Sequence, residues 1–372
     1  MSRVRVLALT PVPEEGAGCR FRISQYIAPL AEEGFDVTVS PFYTPDFFRM
    51  VYRPGHHARK AVWFLRRTLN RLRSVVATDA YDLLFLYREA MPIGPPVIEQ
   101  LLARPGRPPI VYDFDDAVFL PNTSDANSFL SVMKYPHKID TIVGKSTIVV
   151  AGNEYLADYA RRHNPRVTVI PTVVDTSLFV PRSSQKAAGD PLVVGWIGTP
   201  TTATYLETLV PVLSQVYREW PFQLRVAGAG CPFICDGVDV ANLAWALQDE
   251  VALFNTCDIG VYPMPDDEWT KGKCGFKAIQ FMACGVPVVA SAVGVNTEII
   301  EDGVNGFLAS SHGEWVGKLA RLAADPVLRR RLGDAGRATI EARYSLKGNA
   351  PRMAAVLRAA LDGSQRRRET AA

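Results

Sequence analysis

Apolar residues along this chain come in short runs that alternate with longer segments of helical spacing. The runs at 4–9, 35–40 and 81–87 predict buried strands, since central strands of a parallel sheet are apolar on both faces. The segments between them place apolar residues three or four apart, which predicts amphipathic helices. A second series of the same kind begins with the run LVVGWIG at Leu192 and includes helices expected at 199–217 and 245–255. The pattern predicts an α/β protein with two domains.

A chain of 372 residues is long for a single hydrophobic core, which favours two domains. The segment 182–191 is small and polar, as interdomain linkers often are. The sequence thus predicts a first domain at 1–181, a second at 192–345, a helix at 346–364 and a disordered tail at 365–372. Two such domains would face each other across a ligand-binding cleft.

The stretch 271–291 predicts a loop, a helix, a turn and a buried strand in that order. The loop contains Gly272 and Gly275, and Lys273 and Lys277 lie beside them in the sequence. Backbone N–H groups at a helix start attract anions, and together with the two lysines they would bind a diphosphate. The alternative is an ordinary α/β unit whose lysines are solvated.

A glycine-containing loop follows the first predicted strand, where open α/β sheets bind ligands. It is expected at 11–22 and carries Gly16, Gly18, Arg20 and Arg22. The third glycine of a dinucleotide fingerprint is missing, which argues against a dehydrogenase. The two arginines either reach an anion or are ordinary surface residues.

Three carboxylates follow the predicted strand at 110–112. Asp113, Asp115 and Asp116 could supply a general base, an anchor for an acceptor hydroxyl or a metal site. A metal would need further ligands that the sequence does not indicate, so we favour hydrogen bonding to a sugar or acceptor and predict no metal. The structural alternative is that one of them caps the next helix.

The segment from Ala58 to Val76 predicts a basic amphipathic helix. It contains arginines, a lysine and regularly spaced apolar residues, with no acidic side chain. Such a helix can lie on an anionic membrane or bind an acidic acceptor. The favoured alternative is a solvated helix whose apolar face packs on the core, which leaves weak peripheral membrane contact as the second interpretation.

Composition limits the expected partners and cellular location of the protein. The net charge is only +3, so no nucleic-acid partner is expected. The first apolar run is too short for a signal peptide, and no stretch approaches the ~20 apolar residues of a membrane span. The six cysteines are scattered without a zinc pattern. These features predict a cytoplasmic protein, with contact at the inner membrane surface as the variant interpretation.

Several stretches taken together resemble glycosyltransferase family 4. The first is IPTVVDTSLFVP at 170–181, which looks like the end of the family's first domain. The others look like its donor-binding half: DIGVYP at 258–263, KCGFK at 273–277, FMACGVPVVAS at 281–291 and the tail from Gly294 to Gly306 with Glu298. These five pieces in the right order are specific, although each alone is weak.

The resemblance implies a GT-B fold: two Rossmann-like domains facing across a cleft, with the C-terminal helix packing back on the first. It implies transfer of a sugar from a nucleotide-diphosphate donor, UDP or GDP being favoured, with retention and without a metal or cofactor. By analogy, Gly16, Gly18 and Arg20 face the donor from the first domain. The donor-binding residues that it implies in the second domain are Gly198, Thr199, Thr201, Thr202, Trp245, Leu247, Lys273, Cys274, Gly275, Phe276, Lys277 and Gln280.

Two positions depart from the family pattern. The family's Glu-x7-Glu motif falls on Gly272, which has no side chain, and on Gln280, which has no charge. By resemblance the first glutamate touches the donor sugar and the second the ribose hydroxyls, which Gln280 can still hydrogen-bond.

The expected chemistry is glycosyl transfer in which Lys277 stabilises the departing diphosphate, with Asp115 or Asp116 as the base if the protein supplies one. The leaving phosphate can also take the acceptor proton. Two alternatives stay open from the sequence. One is a GT-B protein that binds a nucleotide sugar or assists a partner enzyme, and the other is a nucleotide-sugar epimerase.

Overall fold

The structure is a computed structural model of the whole chain. It describes residues 3–51, 55–120, 135, 137–183 and 189–371, and side chains up to residue 363. The described chain forms two compact units, which we call unit 1 (Met1–Thr172 with Asn349–Ala372) and unit 2 (Val173–Gly348). Residues 184–188 of the predicted linker lie outside the described part. The domain limits and the tail disorder expected from the sequence stay predictions.

Unit 1 contains a six-stranded parallel sheet with strand order β2-β1-β3-β4-β5-β6. Its strands are β1 (Val4–Thr10), β2 (Phe35–Pro41), β3 (Leu83–Tyr87), β4 (Ile110–Phe114), β5 (Ile148–Ala151) and β6 (Val167–Val169). Its helices are α1 (Ala17–Arg22), α2 (Ile27–Glu32), α3 (Pro45–Val51), α4 (His57–Val76), α5 (Val97–Leu102), α6 (Lys138–Lys145) and α7 (Glu154–Arg161).

Unit 2 repeats the plan, with strand order β12-β11-β10-β7-β8-β9 and all strands parallel. Its strands are β7 (Leu192–Ile197), β8 (Phe222–Ala227), β9 (Asp239–Leu243), β10 (Ile259–Tyr262), β11 (Val288–Ser291) and β12 (Phe307–Ala309). Its helices are α8 (Ala203–Glu207), α9 (Val210–Glu219), α10 (Glu250–Asn255), α11 (Glu268–Lys271), α12 (Phe276–Ala283), α13 (Asn296–Ile299), α14 (His312–Ala324) and α15 (Pro326–Arg343). The predicted α/β class with two Rossmann-like units is confirmed.

The last helix, α16 (Leu346–Ala371), begins in unit 2 and continues in unit 1. Within unit 1 it contacts the loop after α2, because Arg358 donates a hydrogen bond to a carboxylate oxygen of Glu33 at 2.7 Å. Arg352 donates to the carbonyl oxygen of Val169 at the end of β6. The C-terminal helix therefore packs on the first unit, as expected.

Three local predictions are wrong. The loop expected at 11–22 is partly helical, since α1 begins at Ala17. The single helix expected at 199–217 is divided, because Pro211 lacks the N–H that a continuous helix needs and instead lies in the first turn of α9. The helix expected from Trp245 starts only at Leu247 as a 3-10 turn, and β9 before it was not predicted.

Helix α12 lies unusually close to the unit 2 sheet. A Cβ atom at Gly260 of β10 would come within 2.6 Å of the Phe281 ring, and one at Gly195 of β7 within 2.1 Å of Cys257 Sγ. Glycine at position 260 lets the Phe281 ring pack directly on β10, and glycine at position 195 leaves room for the Cys257 thiol. The sheet thereby fixes the height and rotation of α12, whose first turn is the candidate anion site.

In the part of the chain that the structure describes, none of the helices has the length and apolar character needed to cross a bilayer.

The cysteines give a simple test of the core. Cys231 is exposed and the other five are buried as free thiols. Burial raises the pKa of Cys19 to about 11 and that of Cys284 to about 12. We expect a thiol reagent at pH 8 to modify Cys231 rapidly in the folded protein and all six cysteines after denaturation. Rapid modification of Cys284 in the folded protein would contradict this packing.

Candidate functional site

The carboxyl ends of the unit 2 strands meet at one edge of the sheet, because all the strands are parallel. At this edge the loop after β7 touches the loop after β8. Gly228 has φ +81°, and a Cβ atom there would lie 2.4 Å from the carbonyl oxygen of Gly198. A Cβ at Gly198 would in turn meet the Trp196 ring at 2.3 Å. Only glycine fits at either position, because the loops after β7 and β8 pack tightly against each other.

The threonines after β7 form a capping box. Thr202 Oγ1 accepts a hydrogen bond from the backbone N–H of Thr199 at 3.0 Å, and Thr199 Oγ1 lies 3.0 Å from Thr201 Oγ1. The three side chains are exposed or half-buried, and they hold the first turn ahead of α8. Trp245 lies next to this turn, its Cβ being 3.7 Å from where a Cβ of Gly228 would be. These groups share one edge, as predicted.

Gly275, which has φ +64°, is the N-cap residue of α12. A Cβ atom there would come within 2.3 Å of Ile299 Cδ1, so a larger residue would be strained in conformation and would displace the Ile299 side chain. As a glycine it has no side chain with which to cap the helix, and the first N–H groups of α12 belong to Phe276, Lys277 and their neighbours. Backbone N–H groups at a helix start favour an anion.

Lys277 is the first of three polar side chains that are joined by hydrogen bonds. Its Nζ donates a hydrogen bond to Gln280 Oε1 at 2.8 Å, and Gln280 Nε2 donates to Glu250 Oε1 at 3.2 Å. Gln280 is fully buried and Glu250 nearly so, whereas Lys277 is half-buried. The lysine ammonium also lies over the rings of Phe254 and Phe276. The cation is therefore held at the first turn of α12.

These hydrogen bonds change the expectation for Gln280. Both ends of its amide are used inside the protein, so in this structure the side chain orients Lys277 rather than facing a ligand. Glu250 is a site residue that the sequence analysis missed. Its only local signal is an acidic position at the start of α10, which does not reveal a partner 30 positions away.

The remaining predicted residues of the loop before α12 lie close by. Lys273 Nζ lies 5.5 Å from the ring centre of Trp269, and Cys274 is buried. Gly272 ends α11, whose first turn is capped by Asp267. Leu247 is exposed in the 3-10 turn before α10. The ligand roles of these residues stay predictions.

In unit 1, two predicted ligand-facing residues instead form a buried ion pair. Arg22 Nε donates to Asp113 Oδ1 at 2.9 Å, Arg22 Nη2 to Asp113 Oδ2 at 2.5 Å, and both side chains are fully buried. Burial alone would lower the pKa of Arg22, but the Asp113 carboxylate raises it, so the guanidinium stays charged. Asp113 lies inside β4 and belongs to the core, which corrects its assignment to the acidic cluster, and Arg22 is not a surface arginine.

Asp115 and Asp116 do share one edge of the unit 1 sheet. Asp115 Oδ1 accepts hydrogen bonds from Tyr87 Oη at 2.7 Å and from Arg88 Nη2 at 2.7 Å, and Arg88 also pairs with Asp116. Burial would raise the pKa of Asp115, but the positive charges of Arg88 and Arg22 hold it below the usual value. A carboxylate held in this way accepts a proton poorly at neutral pH.

Arg88 is the second residue that the sequence analysis missed. It adopts φ +57°, a left-handed conformation that non-glycine residues rarely take, which is often a sign of a functional constraint. A Cβ atom at Gly18 would lie 2.1 Å from Tyr87 Oη, so the glycine leaves room for the hydroxyl that binds Asp115. Arg20 donates a hydrogen bond to the carbonyl oxygen of Glu14, within the same loop as Gly16.

Comparison with known proteins connects unit 2 to one family. Residues 191–325 match the model described as glycosyl transferases group 1. A D-inositol 3-phosphate glycosyltransferase of Stackebrandtia nassauensis is 27% identical over 247 residues, which cover 55% of this chain and 54% of that protein. The same enzyme of Segniliparus rotundus is 26% identical and covers 61% of this chain and 57% of that protein. The chain thus spans a little over half the length of these curated relatives.

Solved structures resemble the whole chain in fold. Sucrose-phosphate synthase from Thermosynechococcus elongatus has a TM-score of 0.70 at 19% identity, covering 95% of this chain and 98% of that one. The Anabaena protein HepE, determined in complex with UDP-glucose, has a TM-score of 0.66 at 18% identity, covering 95% and 99%.

The fold is therefore GT-B, and residues 191–325 match the group 1 glycosyltransferase model. The resemblance noted in the sequence is confirmed.

Proposed function

We propose that this protein transfers a sugar from a nucleotide-diphosphate donor to an acceptor, and that unit 2 binds the diphosphate at the first turn of α12. The observation that carries the proposal is the hydrogen-bond chain from Lys277 through Gln280 to Glu250, which holds the lysine ammonium at the first turn of α12. The matched group 1 domain and the likeness to HepE, whose structure holds UDP-glucose, support a nucleotide-sugar donor.

The proposed step breaks the bond between the anomeric carbon and the diphosphate oxygen, while the acceptor oxygen bonds to that carbon. Negative charge then builds on the leaving diphosphate, where Lys277 and the N–H groups of α12 stabilise it. A preorganised group of this kind contributes about 3 kcal/mol to the transition state. Gln280 and Glu250 act as positioning residues, because they hold the ammonium in place before the charge develops.

We further propose that the leaving phosphate takes the acceptor proton, so that the sugar is transferred with retention and without a metal. This route needs no strong protein base. It fits Asp115, whose pKa is held down by Arg88 and Arg22 after the opposing effect of burial. Asp115 and Asp116 would then orient an acceptor hydroxyl instead of removing its proton, with Arg88 fixing both carboxylates.

Thermal stabilisation by UDP, GDP, ADP and dTDP tests the donor assignment. A ligand present at about 100 times its dissociation constant adds about 2.7 kcal/mol of stability. We expect one of the four, with UDP or GDP favoured, to raise the melting temperature clearly above the others. The absence of a shift with all four would contradict the donor site.

A non-catalytic nucleotide-sugar-binding protein is the second candidate. It is favoured by Gly272, which offers no carboxylate to the donor sugar, and by the full burial of Gln280. Binding experiments do not separate the two candidates, because both require Lys277. Release of nucleotide from the donor during incubation with acceptors separates them.

The role of Gln280 can be tested with a matched variant. We expect Gln280→Met to weaken binding of the preferred nucleoside diphosphate roughly tenfold, because hydrogen bonds to charged groups contribute about 1.5–3 kcal/mol. Affinity for the corresponding nucleoside, measured by calorimetry, should stay within about twofold because the nucleoside carries no diphosphate charge.

Gln223→Met is the control. Gln223 also joins a cation to a carboxylate in unit 2, since it accepts from Arg225 Nε and donates to Asp239 Oδ2. Equal losses in the two variants would argue that Gln280 only stabilises the fold.

A further inference from the structure

The basic helix α4 presents two unlike faces. On its inner face Arg71 is buried and donates to the carbonyl oxygens of Ser40 and Thr10 at 3.0 and 3.1 Å. Arg67 donates to the carbonyl oxygens of Pro41 and Phe42 at 2.8 and 2.6 Å. These two arginines bind the carboxyl ends of β1 and β2, which explains why charged side chains point inward.

Aromatic packing completes the inner face. The ring of Trp63 lies 5.1 Å from that of Phe47, and the ring of Phe64 lies 5.2 Å from that of Phe42. Together with the two arginines, these contacts set the rotation of α4 about its axis. The expectation that the regularly spaced aliphatic residues would face the core is therefore wrong for most of them.

The outer face instead carries an apolar stripe at heptad-like spacing. Five residues form this surface, which we call the outer stripe, and their exposed fractions range from 37% to 73%: Val62, Leu65, Leu69, Leu72 and Val76. Steps of three and four residues place them on one side of a helix. In the described part of the chain nothing packs over them. A contiguous exposed stripe of this kind marks an interaction surface.

Positive charge borders the outer stripe. Arg59, Arg66 and Arg73 are exposed, and α4 contains no aspartate or glutamate. Arg59 lies over the Trp63 ring, and Arg73 donates a hydrogen bond to the side chain of Asn70. The face therefore combines aliphatic side chains with unbalanced cations.

We propose that the outer stripe docks on an anionic lipid surface. Helix α4 would lie in the plane of the interface, with the leucines and valines entering the acyl boundary and the arginines contacting headgroup phosphates. A second copy of this chain fits the face less well, because pairing two copies of α4 brings arginines together without any carboxylate of the helix between them. The inference does not depend on the proposed transferase activity.

Sedimentation with lipid vesicles tests the proposal on the intact protein. Vesicles of phosphatidylcholine alone are compared with vesicles that also contain phosphatidylglycerol. Two double variants are compared with the parent protein. The leucine variant combines Leu65→Ser with Leu69→Ser, and the arginine variant combines Arg66→Gln with Arg73→Gln. The control is Ile234→Ser, which changes an apolar residue of unit 2 that is 74% exposed, more than either leucine. Since all these side chains are exposed, each variant should keep the parent melting temperature.

We expect binding to the phosphatidylglycerol vesicles and not to phosphatidylcholine alone. The leucine variant should bind at least about tenfold more weakly, because each buried leucine contributes more than 1 kcal/mol to partitioning. The arginine variant should lose about 25-fold, since each basic residue near an anionic surface contributes about fivefold. Ile234→Ser should bind like the parent.

Several results would overturn the proposal. These are the absence of binding to either vesicle, equal binding to both, or unchanged binding of the leucine variant. Light scattering adds one more: a dimer that disappears in the leucine variant, without vesicle binding, would assign the outer stripe to a second copy of the chain.

Discussion

Replacing Lys277 by alanine is expected to weaken binding of the preferred nucleoside diphosphate by about 10- to 100-fold, because a charge-assisted hydrogen bond contributes about 1.5–3 kcal/mol. Affinity for the matching nucleoside should change by no more than about twofold, since it carries no charge for the ammonium to bind. Calorimetric titration with both ligands measures the two values. The difference between them isolates the contribution of Lys277 to the diphosphate.

Lys271→Ala is the matched control for this experiment. Lys271 lies six positions earlier but pairs with Glu268 and Asp266 at the surface. Its removal should leave both affinities unchanged. If Lys271→Ala lowered diphosphate affinity as much as Lys277→Ala, the effect would come from general charge rather than from the first turn of α12. An equal loss of nucleoside affinity in Lys277→Ala would also contradict the assignment.

Removing one partner of the buried Arg22–Asp113 pair should give the largest change in stability. We expect Asp113→Ala to destabilise unit 1 by about 3–5 kcal/mol, because it leaves a buried guanidinium without its carboxylate. Hydrogen exchange of peptides from β1 and β4 measures the local effect without assuming that a two-unit protein unfolds in one step. Peptides from β7 and β10 in unit 2 should exchange as in the parent.

Two further variants make this prediction specific. The double change Arg22→Met with Asp113→Leu should recover most of the loss, since apolar residues can replace a buried pair at little cost. Asp158→Ala removes an exposed partner of Arg161 and should leave the hydrogen exchange of unit 1 nearly unchanged, since exposed ion pairs contribute little to stability. If Asp113→Ala proved as mild as Asp158→Ala, the pair would not be the anchor of β4 that the structure indicates.

The parts of the fold that were predicted correctly are those with a strong local pattern. Strands such as β3 and β7 are continuous apolar runs, and α12 has a helical period with a clear stop at Cys284-Gly285. Strand β9 was missed because DVANL is half polar and lies at the edge of the sheet, where it buries no complete face. Local hydrophobicity does not mark such a strand.

The site was predicted only where its residues are close in sequence. Lys277, Gly275 and the threonines after β7 could be found because glycines, lysines and capping residues stand together. The Gln280–Glu250 bond and the Arg22–Asp113 pair join residues 30 and 91 positions apart. A single sequence shows neither pairing, so it groups Asp113 with the acidic cluster and does not reveal that Gln280 joins Lys277 to Glu250.

Helix α4 shows a different limit of prediction from sequence. Its amphipathic period was clear, but the period does not say which face turns inward. The carbonyl groups at the ends of β1 and β2 decide this, because they need donors that Arg67 and Arg71 supply. The aliphatic residues were consequently placed on the wrong side.

The most direct test of the account is nucleotide release in a single-turnover assay. The protein in excess is mixed with UDP- or GDP-sugars and with glycan, lipid-linked or small-molecule acceptors, and free nucleotide is quantified for the parent and for Lys277→Ala. The account predicts that release requires an acceptor and falls at least about 100-fold in the variant, because the leaving diphosphate loses its cation. Nucleotide binding without release from any donor–acceptor pair would contradict transfer and assign the protein to nucleotide-sugar binding alone.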